Sequence, residues 1–285
     1  MHYRLFHIGQ INIYSYGFMV ALAFIVGIYI AANRAKKLGE NYQNIYDLCL
    51  YLMFASIIGA RLTYVLTNWE YYRNNPVEIV MVNKGGLVFY GGLILAGIVS
   101  ILFLKIKKLN VWKYFDILSP SIAIGHALGR VGCFLNGCCY GKLAKNSVVG
   151  VKFPKVVDSL NNATSFGNII GSPPFLDHLH NGLITENSVC SLPVYPTQIF
   201  SSLMNFSIFL FLIFLFKKRR FNGQIWCAHT MLYAVGRFSI EFLRGDNPLI
   251  PPLNLTLSQH IAIFLFLLGL FMYIYLCTKQ KKQPI

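Results

Sequence analysis

Residues 125–141 read GHALGRVGCFLNGCCYG, a stretch that holds a histidine and an arginine inside an apolar helix and closes that helix with glycines and cysteines. An arginine in hydrocarbon costs about 2.5–3.5 kcal/mol on insertion scales, so Arg130 marks a functional position. His126, Arg130, Cys133 and Gly137 stand at i, i+4, i+7 and i+11 and share one helical face.

Outward from this stretch the chain is apolar throughout. Of its 285 residues 55% are hydrophobic and 12% charged, and apolar runs recur at about 20 residues, the span of a bilayer core. The expected fold is all-α: seven transmembrane helices over 13–32, 45–66, 87–104, 117–137, 197–216, 224–243 and 260–277. Together they form a single polytopic domain, 1–285. Residues 140–196 break the pattern, being polar and rich in Asn, Ser, Gly and Pro, and are expected to form a small extracytoplasmic head, with a strand in GVKFPKVV. The first apolar run lacks a basic leader and a small-residue cleavage site, so it is expected to stay in the mature protein.

The formal charge of +15 raises the question of nucleic acid, and its placement argues against it. Arg34, Lys36 and Lys37 follow span one; Lys105, Lys107, Lys108 and Lys113 lie between spans three and four; Lys217, Lys218, Arg219 and Arg220 between five and six; and Lys279, Lys281 and Lys282 after seven. More than half of the 25 basic residues thus fall on one side, which the positive-inside rule makes cytoplasmic. The amino terminus is then outside and the carboxyl terminus inside. Tyr14, Tyr16, Trp69, Tyr71, Tyr72, Trp112, Tyr114 and Trp226 sit at span ends, where amphipathic rings settle against a lipid bilayer.

Three arginines fall within spans: Arg61, Arg130 and Arg237. Arg61 lies near its helix end, where snorkelling or pairing with an acid competes with substrate binding. Arg237, Glu241 and Arg244 stand at i, i+4 and i+7 on one face, and Glu241 can neutralise one neighbour. The remaining positive pocket suits a phosphate, because a planar guanidinium donates paired hydrogen bonds to phosphate oxygens. At that depth the phosphate belongs to a phospholipid. Glycines around Tyr90 in GGLVFYGGL and along the fourth span allow helices or a lipid to approach the backbone closely.

Taken together, IYSYGFMVALAF, GARLTYVL, GGLVFYGGL, GRVGCFLNGCCYG, YPTQIF and GRFSIEFLRGDN make the chain resemble the prolipoprotein diacylglyceryl transferases, bacterial inner-membrane enzymes. The resemblance implies seven transmembrane helices with a periplasmic head, and transfer of the diacylglyceryl group from phosphatidylglycerol to the lipobox cysteine of a prolipoprotein. The products are a thioether and glycerol phosphate, with no metal or organic cofactor. It further implies that Arg130 and Arg237 are the essential arginines, and that Tyr16, Asn136, Gly141, Glu241 and Arg244 belong to the substrate site.

Three departures bear on mechanism. Tyr90 stands where the family's best-known form has histidine, Cys133 where it has asparagine, and Cys138 where it has glutamate. A phenol of reference pKa about 10 is a poor base near neutral pH, although Tyr90 can donate to the phosphate. His126, one turn from Arg130, is the natural substitute, leaving His126, Tyr90 and water as acceptors of the thiol proton. Arg130 and Arg237 hold the phosphate and stabilise the leaving group, with Arg244 and Glu241 orienting them.

Cys133, Cys138, Cys139 and Cys190 lack a CxxC pair and a nearby histidine, so the spacing suggests no metal site, and packing competes with a disulfide among Cys138, Cys139 and Cys190. Tyr195, Pro196, Thr197 and Gln198 read as a helix start, with Gln198 either capping or bonding near the headgroup. Two other classes stay open. A catalytically silent relative that binds anionic lipid shares these features, whereas a secondary transporter should carry a second copy of the signature, and none is present.

Overall fold

The computed structural model describes residues 4–8, 11–81, 85–144, 148–155, 165–166, 169–244, 249–251 and 253–280. Nine helices run in chain order among the described residues: α1 (Ser15–Lys37), α2 (Gln43–Thr67), α3 (Trp69–Asn74), α4 (Phe89–Ile106), α5 (Val111–Asn136), α6 (Pro173–His180), α7 (Thr197–Lys217), α8 (Gln224–Glu241) and α9 (Leu257–Gln280). A short 3-10 turn, Pro76–Val80, follows α3. Each of the seven expected spans is a helix. Six of them are long and apolar enough to cross a bilayer, and α8 is not among the six because Gln224, His229, Arg237 and Glu241 dilute its hydropathy. Large apolar side chains such as Ile25, Ile58, Leu93, Leu210 and Phe264 are exposed, a surface that suits lipid rather than water.

Three antiparallel hairpins depart from a purely helical chain: β1 (Arg4–Ile8) with β2 (Ile11–Tyr14), β3 (Ser165–Phe166) with β4 (Ile169–Ile170), and β5 (Leu249–Ile250) with β6 (Leu255–Thr256). The strand expected in GVKFPKVV forms only isolated bridges, Val151 to Val194 and Pro154 to Cys190, because proline cannot donate to a ladder. Its last two residues, Val156 and Val157, lie outside the described residues.

The chain folds as two compact units, residues 28–117 and residues 1–27 with 118–285. In the first, α4 lies directly on α2. A Cβ at Gly91 would come within 2.5 Å of the Gly59 carbonyl oxygen, and one at Gly92 within 2.6 Å of that of Ser56. The second glycine pair of GGLVFYGGL is therefore a helix-packing device. In the second unit Ala123 of α5, Ile208 and Leu212 of α7 and Ile225 of α8 form an apolar cluster. Within 140–196, α6 buries Phe175 and His178, whose Nδ1 accepts a hydrogen bond from the Leu192 amide at 3.2 Å.

Candidate active site

The signature helix ends in a Schellman turn. Gly137, at φ 78°, donates to the Phe134 carbonyl, and the Cys138 amide donates to that of Cys133, each at 3.1 Å. Cys139 is also left-handed, at φ 58°, a conformation that a residue with a Cβ keeps only when its surroundings impose it. The imposition comes from α7. Thr197 Oγ1 donates to the Cys139 carbonyl and Gln198 Nε2 to the Cys138 carbonyl, both at 2.8 Å.

Two residues on, the Gly141 amide donates to Tyr195 at 2.9 Å, the Tyr195 amide to Lys142 at 3.0 Å, and the Lys142 amide to Leu243 at 2.8 Å. A Cβ on Gly141 would stand 2.6 Å from the Leu243 carbonyl oxygen and 2.8 Å from Thr197, so only glycine fits. Three motifs far apart in the chain, GRVGCFLNGCCYG, YPTQ and EFLR, are thereby sewn together. Gln198, expected either to cap or to bind, holds the signature loop while its Oε1 stays buried without a partner among the described residues.

Arg130 sits one turn and a half before the helix end, and its Nε is buried with no hydrogen-bond partner among the described residues. His126 Nδ1 is buried in the same condition, with its ring 5.3 Å from that of Tyr233 on α8. Tyr16 at the start of α1 lies in the field of Arg130 and packs on Gly132, where a Cβ would be 3.4 Å from its ring.

Arg237 is paired. Its guanidinium donates to Glu241 and, at 2.9 Å, to Ser258 of α9. The Glu241 side chain is fully buried, accepts from Thr256 at 2.8 Å, and lies 4.0 Å from Arg244 Nε. Arg244 and Arg130 both act on Cys139. Contacts with the Cys133 and Cys138 sulfurs, reinforced by these two cations, hold the Cys139 thiol below its ordinary range. Arg130, Arg244, Glu241 and Arg237 thus form a chain of neighbours linked through Cys139 and Glu241, with more guanidinium than carboxylate charge.

Two further expected site residues belong to the unit of residues 28–117. Arg61 is spent on the backbone, donating to the carbonyls of Glu78, Ile79, Gly85 and Gly86 and lying 5.2 Å from the Tyr72 ring centroid. Four of its five guanidinium N–H donors so engaged make it the clamp of the Pro76–Val80 turn and of Gly85 and Gly86 rather than a grip for an anion. Tyr90 is 44% exposed on the first turn of α4, edge-on to Phe89. All seven cysteines are free thiols. The sulfurs of Cys133, Cys138 and Cys139 lie within 4.8 Å of one another, a cluster that the spacing alone did not suggest because the Schellman turn doubles the chain back.

The sequence pattern described as "Prolipoprotein diacylglyceryl transferase" matches residues 4–275. The chain belongs to the prolipoprotein diacylglyceryl transferase family. Similar proteins named phosphatidylglycerol–prolipoprotein diacylglyceryl transferase include one from Clostridium tetani, 33% identical over 269 residues, 94% of this chain and 95% of that protein. Another, from Clostridium perfringens, is 31% identical over 274 residues, 96% of this chain and 94% of its own. A third, from Bacillus cytotoxicus, is 29% identical over 258 residues, covering 90% and 86%. In this member of the prolipoprotein diacylglyceryl transferase family, the signature, the YPTQ box and the end of α8 meet at the turn that follows α5.

Proposed function

We propose that this protein transfers the diacylglyceryl group of phosphatidylglycerol to the lipobox cysteine thiol of prolipoproteins, at the outer face of a bacterial inner membrane. The observation that carries the reading is Arg130, whose Nε is buried with no hydrogen-bond partner among the described residues, on the helix whose following turn joins three motifs. A buried donor of this kind calls for an acceptor, and a phosphodiester supplies oxygens in the geometry a guanidinium fork prefers.

In the proposed reaction Arg130 takes the phosphate, with Arg237 and Arg244 set behind it by Glu241. The thiol gives its proton to His126 or to water, sulfur forms a bond to the glyceryl carbon, and the carbon–oxygen bond breaks with its electron pair leaving on phosphate. Guanidinium charge stabilises that leaving group. Asn136, Gly141 and Gln198 hold the loop, and Tyr16 lines it. The arrangement fits one polytopic domain of seven spans with α8 included, its polar residues facing the site, and with 140–196 as a periplasmic head. The amino terminus is outside and the carboxyl terminus cytoplasmic.

The test is glycerol phosphate release from phosphatidylglycerol by the purified protein in the presence of a lipobox peptide. Arg130→Ala should lower the rate by about 10²–10³, the usual cost of removing one charge-stabilising donor. Release unchanged by that substitution, or no release by the wild type, would overturn the reading.

A further inference from the structure

We propose that Cys133, Cys138 and Cys139 form a metal site, three thiolates that hold one soft divalent ion of the zinc class and leave its fourth position open. Its role deepens the transferase reading and rests on it, whereas the binding itself does not. The three sulfurs lie within 4.8 Å of one another. Tetrahedral zinc with sulfur at about 2.3 Å places sulfurs about 3.8 Å apart, so closure asks for side-chain shifts of about 1 Å.

The backbone under the site is built. The Schellman turn places Cys138 against the Cys133 carbonyl, and Gln198 and Thr197 hold the carbonyls of Cys138 and Cys139. Cys139 is kept left-handed, the kind of strain that collects at functional sites. Three apolar-filling cysteines would need neither this conformation nor mutual contact of their sulfurs. Thiolates select soft ions of the zinc and cadmium class over hard ones. Three thiolates around a divalent ion carry net negative charge, and the neighbouring cations Arg130 and Arg244 match it.

Among the described residues no fourth His, Cys, Asp or Glu joins the cluster. Three protein ligands with one open position is the pattern of reactive rather than structural zinc. The occupant that fits is a thiol, the chemical class of the acceptor substrate. On coordination the thiol releases its proton to solvent water and stays as thiolate, because a bound divalent ion deprotonates a coordinating thiol outright. Position 90, a tyrosine here, is thereby relieved of base duty.

The experiment titrates Cd2+ into reduced, full-length protein in detergent and follows thiolate-to-metal charge-transfer absorption. Saturation at one ion per chain is expected, and Cys133→Ser, Cys138→Ser or Cys139→Ser should each weaken binding by about tenfold or more while Cys227→Ser leaves it unchanged. Independently of any variant, Zn2+ should shield these three cysteines, and not Cys190, from maleimide labelling read by mass spectrometry. Absence of the absorption band, its survival when all three are serine, or labelling indifferent to Zn2+ would overturn the site. Adding a lipobox peptide thiol should raise the band by about a third, as four thiolates replace three, and a serine peptide should not. No rise with the thiol peptide would overturn the open position. Metal-bound protein that releases no glycerol phosphate would sink the transferase reading and leave the site standing.

Discussion

Glu241 is the single acid between two arginines, and its fully buried carboxylate is engaged by Arg237, Thr256 and Arg244. Removing one partner of a buried ion pair strands the other's charge, at about 3–5 kcal/mol. Glu241→Gln is therefore expected to lower the thermal midpoint of the detergent-solubilised protein sharply, in addition to lowering transfer. A midpoint equal to wild type would show that Arg237 needs no counter-charge. Arg130 could be singled out in the sequence because an arginine within an apolar run is costly wherever the chain folds. The role of Arg61 could not, because its carbonyl partners come from a loop 17–25 residues away, and nothing in GARLTYV announces them.

At the scale of elements, the turn after α5 is the working part. Its glycines were visible as helix stops, but the stitching of Gly141 to Tyr195 and of Lys142 to Leu243 was not, since hydrogen bonds between backbones carry no side-chain signature. Gly141→Ala should force a Cβ to 2.6 Å from the Leu243 oxygen. Overpacking of this kind costs about 1–3 kcal/mol, so transfer should fall well below wild type while helix content by circular dichroism is retained. Wild-type transfer in that variant would show the loop to be slack.

The short helix α6 carries a second element-scale expectation. Burial pushes the His178 imidazole down from its ordinary value, with Asp177 opposing in part. With α6 unfolded, His178 takes up a proton near pH 6.5, and with α6 folded it does not, so local stability is complete above that value and falls as pH drops through it. Hydrogen exchange at the Leu192 amide, which donates to His178, should therefore quicken between pH 7 and pH 5 relative to intrinsic rates. A flat profile would mean that the ring is protonated without cost.

At the scale of the whole molecule, the basic runs predict an orientation. Reporter fusions after Arg220 and Lys279 should read cytoplasmic and one after His180 extracytoplasmic, and the reverse pattern would invert the topology. The six membrane-length helices were legible because bilayer length and apolarity are local properties. The β3–β4 and β5–β6 hairpins were not, because two-residue strands leave too short an alternation to detect.

What the sequence determined by itself is the membrane class, the helices and the arginines that hydrocarbon makes costly, since each depends on a residue and its near neighbours. Only the tertiary structure decided that Arg61 is a clamp, that three motifs meet at the turn after α5 and that three sulfurs share one corner. Those outcomes depend on where a turn sends the chain and which distant backbone groups it meets, and no local pattern encodes that.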